Sequence, residues 1–467
     1  MPDIKEKVED LQPTPSQIGE VHEGPAYDAV FGEITEEGPN YRDVGLFGTV
    51  ALMMKTQIGL GVLSIPAAFD ALGLVPGVIV LLVIATITTW SDYMIGIFKI
   101  RHREIYGIDD VGSLIFGRIG REVFGFAFCI YWIFVAGSGM LGISIALNSV
   151  STHGACTAIF VVVAAVVGGA FGSIQTLGRL SWLAWIGLTC ILTSIFIVTI
   201  AVGVQDRPAS APQDGTWVPD YKIVAHPSFT DAISAVSSIA FAYAGTPAFF
   251  PIVSEMRDPR KYTRALLICQ GGVTAVYITI GCVVYYYCGS YVASPALGSA
   301  GPTMKKIAYG FALPGLLVTT MLVIHLPGKL IFIRILRGSQ HLTGNTVIHW
   351  VTWFGCTVGV TIIAYIIASA IPVFDNLISL IGALMGTFMS FQPMGCMWLY
   401  DNWTKGKNNV RKSSKWVFMV CWSSFVILAG CFLMVAGTYG SVVSIIDGYK
   451  ADGGSAAWSC ADNSNSV

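Results

Sequence analysis

The chain alternates long apolar runs with short polar punctuation. Eleven of these runs are long enough to cross a bilayer as helices. They span about 46–70, 74–99, 121–150, 157–174, 180–204, 229–256, 262–289, 307–333, 348–371, 375–400 and 415–446. The pattern predicts an all-α integral membrane protein with eleven transmembrane helices. Two runs carry residues that fit poorly in a plain span. The first, MMKTQIGLGVLSIPAAF, sets Lys55, Gln57, Gly59, Gly61 and Pro66 near its middle. The sixth places Gly245, Thr246 and Pro247 after the small residues Ser234, Ser237, Ser238 and Ala242. Glycine and proline interrupt helical hydrogen bonding, and each orphaned amide or carbonyl in hydrocarbon costs several kcal/mol. Such an interruption persists where it is buried in protein or lines a polar cavity. Gln57–Gly61 therefore reads as an unwound hinge between two half-helices, with a glycine-softened continuous helix as the alternative. The sixth span reads as a second break, with a proline kink as the alternative.

The two interruptions are evenly placed. The first centres near residue 60 and the second near 244, an offset of about 184. The third and eighth spans begin about 186 apart. Two five-span blocks, each broken in its first span, predict an inverted repeat, because an odd number of spans makes the second block enter from the opposite side. Repeat one covers about 46–204 and repeat two about 229–400, with an extra helix at about 415–440. In that geometry the breaks face each other near mid-membrane. The first offers amides and a positive helix end from Ile58, Gly59, Leu60 and Gly61. The second offers free carbonyls from about Phe241, Ala242, Tyr243 and Ala244, ahead of Gly245. The pair suits a zwitterion, and an α-amino acid has that shape.

Charge sets the orientation. One face receives 17 Lys and Arg residues in its loops and the other 5, so the richer face is expected to be cytoplasmic. That puts the N-terminus in the cytoplasm and the C-terminus, 447–467, outside or in a lumen. Residues 1–43 hold eleven acidic side chains against Lys5, Lys7 and Arg42. They read as a disordered acidic tail rather than a signal peptide, with Lys5 and Lys7 as candidate modification sites for turnover. The sequon Asn402-Trp403-Thr404 falls on the cytoplasmic face and is expected to be unused. The outer loop at about Gln205–Ser228 reads as a flexible cover.

Composition agrees: 54% of residues are hydrophobic and 12% charged, about half the charge of a soluble protein. The spacing of the eleven cysteines matches no metal site or disulfide framework, and the eight inside apolar runs (Cys129, Cys190, Cys269, Cys282, Cys356, Cys396, Cys421 and Cys431) read as packing residues. Cys156, Cys288 and Cys460 lie near one face, within reach of pairing. No phosphate-cradling loop, serine elbow, metal cluster, selectivity filter or charge ring appears, so enzyme and channel readings lack support. No cofactor and no nucleic-acid partner is expected.

GLGVLSIP at Gly59–Pro66 resembles the first-span signature of the amino acid/auxin permease family of secondary transporters. PIVSEMRDPRKY at Pro251–Tyr262 resembles the stretch closing that family's sixth span. The resemblance covers about residues 45–440 and is nearest to fungal neutral amino acid permeases. It implies a leucine-transporter-like five-plus-five inverted-repeat fold with an eleventh helix, importing amino acids on an ion gradient. By matched position, Ile58–Gly61 and Phe241–Gly245 line the substrate site. Sodium-coupled relatives place a cation-coordinating oxygen network close to Lys55. The Lys55 ammonium is expected either to stand in for that cation, favouring proton over sodium coupling, or to hold a structural contact. Thr320 matches a sodium-ligand threonine of some relatives, with Thr319 its neighbour.

His325 is a candidate proton relay, and Asp92 a cytoplasm-side network member. Glu255, beside Arg257 and Arg260, is expected to latch the inner gate. Tyr131 and Trp132, with Phe241 and Tyr243, are candidate walls of the side-chain pocket. The lack of an anionic group around the breaks favours a neutral substrate, aromatic ones included. An amino acid sensor on the same scaffold, or a permease for another small zwitterion, is the alternative. Membrane lipid is the surrounding partner, and the plasma membrane is favoured over the vacuole.

Overall fold

The computed structural model describes residues 43–451 apart from 209, 213, 216, 343, 372 and 408–412, together with 27–28, 32–33 and 458–464. The expected tail at 1–43 falls almost wholly outside the described residues. From it come only two paired two-residue strands, β1 (Tyr27–Asp28) and β2 (Gly32–Glu33).

Helices account for the rest of the architecture. The first span is α1 (Leu46–Gln57), a turn, a 3-10 segment Gly61–Ser64 and α2 (Ile65–Leu72). Then follow α3 (Leu74–Arg101), α4 (Ile108–Ser151), α5 (Thr157–Gly172) and α6 (Leu177–Val204). The sixth span is α7 (Phe229–Tyr243) and α8 (Thr246–Ser254). After it come α9 (Tyr262–Cys288), α10 (Pro302–Leu336) and α11 (Val347–Ala370). The tenth span is α12 (Phe374–Ile381), a π segment Gly382–Gly386, a short turn Thr387–Ser390 and α13 (Gln392–Lys407). The last helix is α14 (Ser414–Ala451). Ten helical stretches are long and apolar enough to cross a membrane, and α5 is a shorter apolar helix of 16 residues.

Both expected interruptions are present. Pro66 and Pro247 each sit in the first turn of the half-helix after the break, where the missing N–H has no helical partner to lose. The broken spans are the interior of the bundle. The most apolar windows of Leu46–Leu72 and Phe229–Ser254 are 72% and 94% buried, against 17% for the last helix. The outer helices thus present their apolar surface to lipid.

The third span follows a kink at Gly117, whose φ of 68° suits glycine; a short helix over 108–116 precedes the kink, and the span runs on from it to Ser151, close to its expected start near 121. Cys156 is bonded to Cys460, a pairing among the three cysteines expected near one face. The bridge fastens residues 458–464 across the ends of α4, α5 and α10. Thr157 Oγ1 donates to Ala461 O (2.6 Å), and Asn463 is bonded to Asn148 and Ser144.

The breaks touch. A β carbon on Gly61 would lie 2.4 Å from Ala242 Cα, so backbone meets backbone with no side chain between. Gly61→Ala is expected to force the two apart at about 1–3 kcal/mol, lowering the thermal-unfolding midpoint of the detergent-solubilised protein. An unchanged midpoint would mean that this contact is not tight.

Candidate functional site

The site is best built from the backbone outward. In the first break, Ile58 N donates to Met54 O (2.6 Å) and Gly59 N to Gln57 O (2.9 Å). Gly61 and Val62 begin the 3-10 segment, so their amides have no acceptor within their own turn. The Lys55 ammonium is fully buried and donates to Ile58 O at 3.3 Å. It thus rests on a carbonyl of the break, with Cys190 of α6 nearby.

The second break differs from expectation. Its carbonyls were read as free, yet each has a donor. Phe241 O accepts from Ala244 N and Tyr243 O from Gly245 N, both at 2.9 Å. Ala244 O accepts from the Tyr131 hydroxyl. The Tyr277 hydroxyl of α9 lies 2.8 Å from both Ala242 O and Gln57 O, so one proton is shared between the two breaks. The physical reason is general: buried carbonyls recruit donors. A carbonyl oxygen has two lone pairs, so one donor leaves room for a second. Sequence reading missed Tyr277. Its signal was a tyrosine near the midpoint of the seventh span, within reach of mid-membrane.

Side chains pack closely around this backbone core. Tyr131 and Trp132 are buried with ring centroids 4.8 Å apart, and Tyr243 meets Tyr277 at 5.1 Å. Gly382, at the start of the π segment, approaches Ser237 O and Phe241, so the tenth span leans directly on the sixth break. Thr319 and Thr320 separate. Thr319 abuts Gly59, whose added β carbon would lie 2.9 Å from Thr319 Oγ1, whereas Thr320 packs against Gly139 and Gly168 of α4 and α5. Both hydroxyls donate to carbonyls of their own helix, Gly315 and Leu316. Of the two, Thr319 is the one at the break.

The gate candidates lie to one side of the breaks. Glu255 ends α8 and pairs with Lys329 of α10, both side chains almost wholly buried, and Tyr106 OH donates to Glu255 Oε1 (3.2 Å). The expected partners Arg257 and Arg260 are engaged elsewhere, with Asp43 and Asp258. They stand at an exposed turn, out of line with the inward-facing Glu255. Val44 joins the same region through backbone bonds to Glu255 and Arg257. His325 is buried with its ring centroid 5.4 Å from that of Trp353, beside the backbone of Gly172 and Ile174, away from the breaks. Asp92 is buried against α9, where Gln270 Nε2 donates to its Oδ2 at 2.6 Å.

On the opposite side of the breaks, a cavity of about 250 Å³ runs between α2, α7, α12 and α14. Its polar lining includes Ser64, Ser234, Ser238, Asp231 and Asp375. Ser64 closes the 3-10 segment of the first break, and Ser238 stands one turn before Phe241. The breaks thus have a polar cavity on one side and a buried ion pair on the other.

These features define a class: a multi-pass helical membrane protein with two interrupted spans joined in its interior. Residues 44–443 match the family described as transmembrane amino acid transporter protein, and the chain belongs to that family. It is a transporter, not an enzyme. It is 33% identical to a transmembrane transporter of Gibberella moniliformis, over 92% of this chain and 90% of the relative. It is 31% identical to the N amino acid transport system protein of Neurospora crassa, over 88% and 87%. It is 22% identical to sodium-coupled neutral amino acid transporter 7 of Danio rerio, over 83% and 84%.

The inner ion pair gives a direct test. Lys329→Ala strands the Glu255 carboxylate in the interior, which is expected to cost about 3–5 kcal/mol. The double variant Glu255→Gln with Lys329→Met removes both charges and is expected to cost clearly less. Thermal unfolding of the three proteins decides it, and equal losses would count against a buried pair.

Proposed function

We propose that this protein imports neutral L-amino acids, aromatic ones among them, across the plasma membrane by alternating access, coupled to protons. The observation that carries the reading is the contact between the two interrupted spans, Gly61 against Ala242, with Tyr277 bridging their carbonyls. Substrate carboxylate sits on the amides of Ile58–Gly61, where Ile58 and Gly59 exchange their present bonds to Met54 O and Gln57 O for it. Its ammonium sits on the carbonyls between Phe241 and Ala244, displacing or joining the present donors. Tyr131, Trp132, Phe241 and Tyr243 wall the side chain.

The outer cavity and the closed inner ion pair support an outward-leaning state of the cycle. In the inward state Glu255 and Lys329 would part as α8 moves. The eleven-span count follows if α5 crosses the membrane despite its length. The five-plus-five inverted repeat, with α14 outside it, then gives the two breaks their matching places. The acidic segment 1–43 is the cytoplasmic tail, and 447–467 the outer one.

Lys55 supports proton over sodium coupling. Its ammonium contacts Ile58 O, a carbonyl of the break that a bound cation would otherwise hold. Radiolabelled uptake into cells or vesicles tests this reading. Uptake of neutral amino acids is expected to persist without sodium and to collapse with a proton uncoupler. Uptake that needs sodium and ignores the uncoupler would overturn the coupling. Binding without accumulation would instead indicate a sensor. The zwitterion requirement has its own assay. N-acetylated amino acids and amino acid esters each lack one charge and are expected not to compete, and competition by either would remove one half of the site.

A further inference from the structure

Asp92 has a setting that its assignment to the inner gate does not explain. It lies on α3, about nine residues from the cytoplasmic end of that helix, which is roughly 13 Å into the protein. Its side chain is fully buried. Gln270 of α9 donates to Oδ2 at 2.6 Å, and the Tyr262 hydroxyl donates to its backbone carbonyl at 3.0 Å. Thr246, the first residue of α8, lies beside the carboxyl. Yet Asp92 Oδ1, Thr246 Oγ1 and Gln270 Oε1 all lack a partner at hydrogen-bond distance among the described residues.

The electrostatics are one-sided. Every other buried charge near the bundle axis is committed, Lys55 to Ile58 O and Glu255 to Lys329. No cationic group is bonded to Asp92 among the described residues. The titratable groups facing it are the Tyr262 hydroxyl and the Cys269 thiol of α9. α8 contributes Thr246, and the Tyr243 hydroxyl of α7 is turned to Thr274. The charged groups on other neighbouring elements, Asp70, Asp401 and Lys261, stand near the ends of their helices. An ionised carboxylate here is held by one amide donor and by the positive end of α8. Protonation removes the charge and gives Oδ1 a proton to donate.

We propose that Asp92 is the proton-binding site of the transporter, and that its charge state sets the position of α8. The inference rests on the proton-coupled reading above and adds the carrier to it. A proton from the outer water joins a carboxylate oxygen of Asp92, giving a neutral acid, and the same proton leaves to the cytoplasm. No other bond changes. The link to substrate is geometric. Thr246 follows directly on the break whose carbonyls, Phe241 to Ala244, are assigned to the substrate ammonium. The α8 N-terminus is drawn to an anionic Asp92 and released by a neutral one. Substrate and proton thus act on two ends of one three-residue hinge, Ala244–Thr246.

The experiment uses the full-length protein in liposomes with an internal pH dye. Wild type is expected to acidify the lumen when a neutral amino acid is added outside. Asp92→Asn, checked for a monodisperse size-exclusion profile, is expected to show no substrate-linked acidification and no accumulation driven by a pH gradient. Asp92→Glu is expected to restore both in part. Gln270→Leu keeps the carboxyl but removes its donor, which favours the neutral acid. Its pH profile is expected to shift upward by about one unit, with half-maximal uptake at higher pH. A folded Asp92→Asn that still acidifies the lumen overturns the assignment while leaving proton coupling intact. An unshifted Gln270→Leu profile also counts against Asp92, even should Asp92→Asn fail to fold. Wild type that transports without any acidification overturns both the coupling and the carrier.

Discussion

Everything in this protein answers to the demand that a backbone polar group in an apolar interior must find a partner. Two spans give up their helical ladders, and the fold then supplies the missing partners from elsewhere. Tyr277 reaches two carbonyls on different spans, Tyr131 reaches a third, and Lys55 a fourth. Glycine lets the strands of backbone meet directly at Gly61 and Ala242. The interrupted sixth span is consequently the most buried of the membrane-length windows among the described residues, at 94%, and the first is 72% buried, while the last helix, at 17%, presents most of its surface outward. An unwound segment on the lipid side would have no such donors and would refold into helix.

That arrangement also explains why polar groups concentrate along one axis. The outer cavity, the two breaks, the Asp92–Gln270 pair and the Glu255–Lys329 pair lie on the faces of spans one, two, six, seven, eight and ten that point inward. Two of the buried charges stand close to α8, Asp92 beside its first residue and Glu255 just after its last. A nine-residue half-helix with ionisable neighbours at both ends is a natural moving part. On the proposed mechanism its two ends would respond to different chemistry: a protonation at Asp92 and the making or breaking of an ion pair at Glu255.

Much of this was legible in the residues. The long apolar runs, Gly59, Gly61 and Pro66, and Gly245 with Pro247, mark both breaks to within a residue or two. They do so because proline and glycine act locally and their consequences follow from the chain alone. What was not legible depends on long-range contact. Nothing in the sequence tells that Lys329, seventy-four residues on, rather than nearby Arg257, neutralises Glu255. Nor does it tell that Tyr277 spans both breaks, that Cys460 returns to Cys156, or that Thr319 and not Thr320 faces Gly59.

The central claim is that the two interrupted backbones together grip a zwitterion. The measurement closest to it is an experimental structure of the protein with a neutral amino acid bound. The account predicts the carboxylate within hydrogen-bond distance of the amides of Ile58–Gly61 and the ammonium on the carbonyls between Phe241 and Ala244. An amino acid bound elsewhere, with both breaks left in their present mutual contacts, would contradict it.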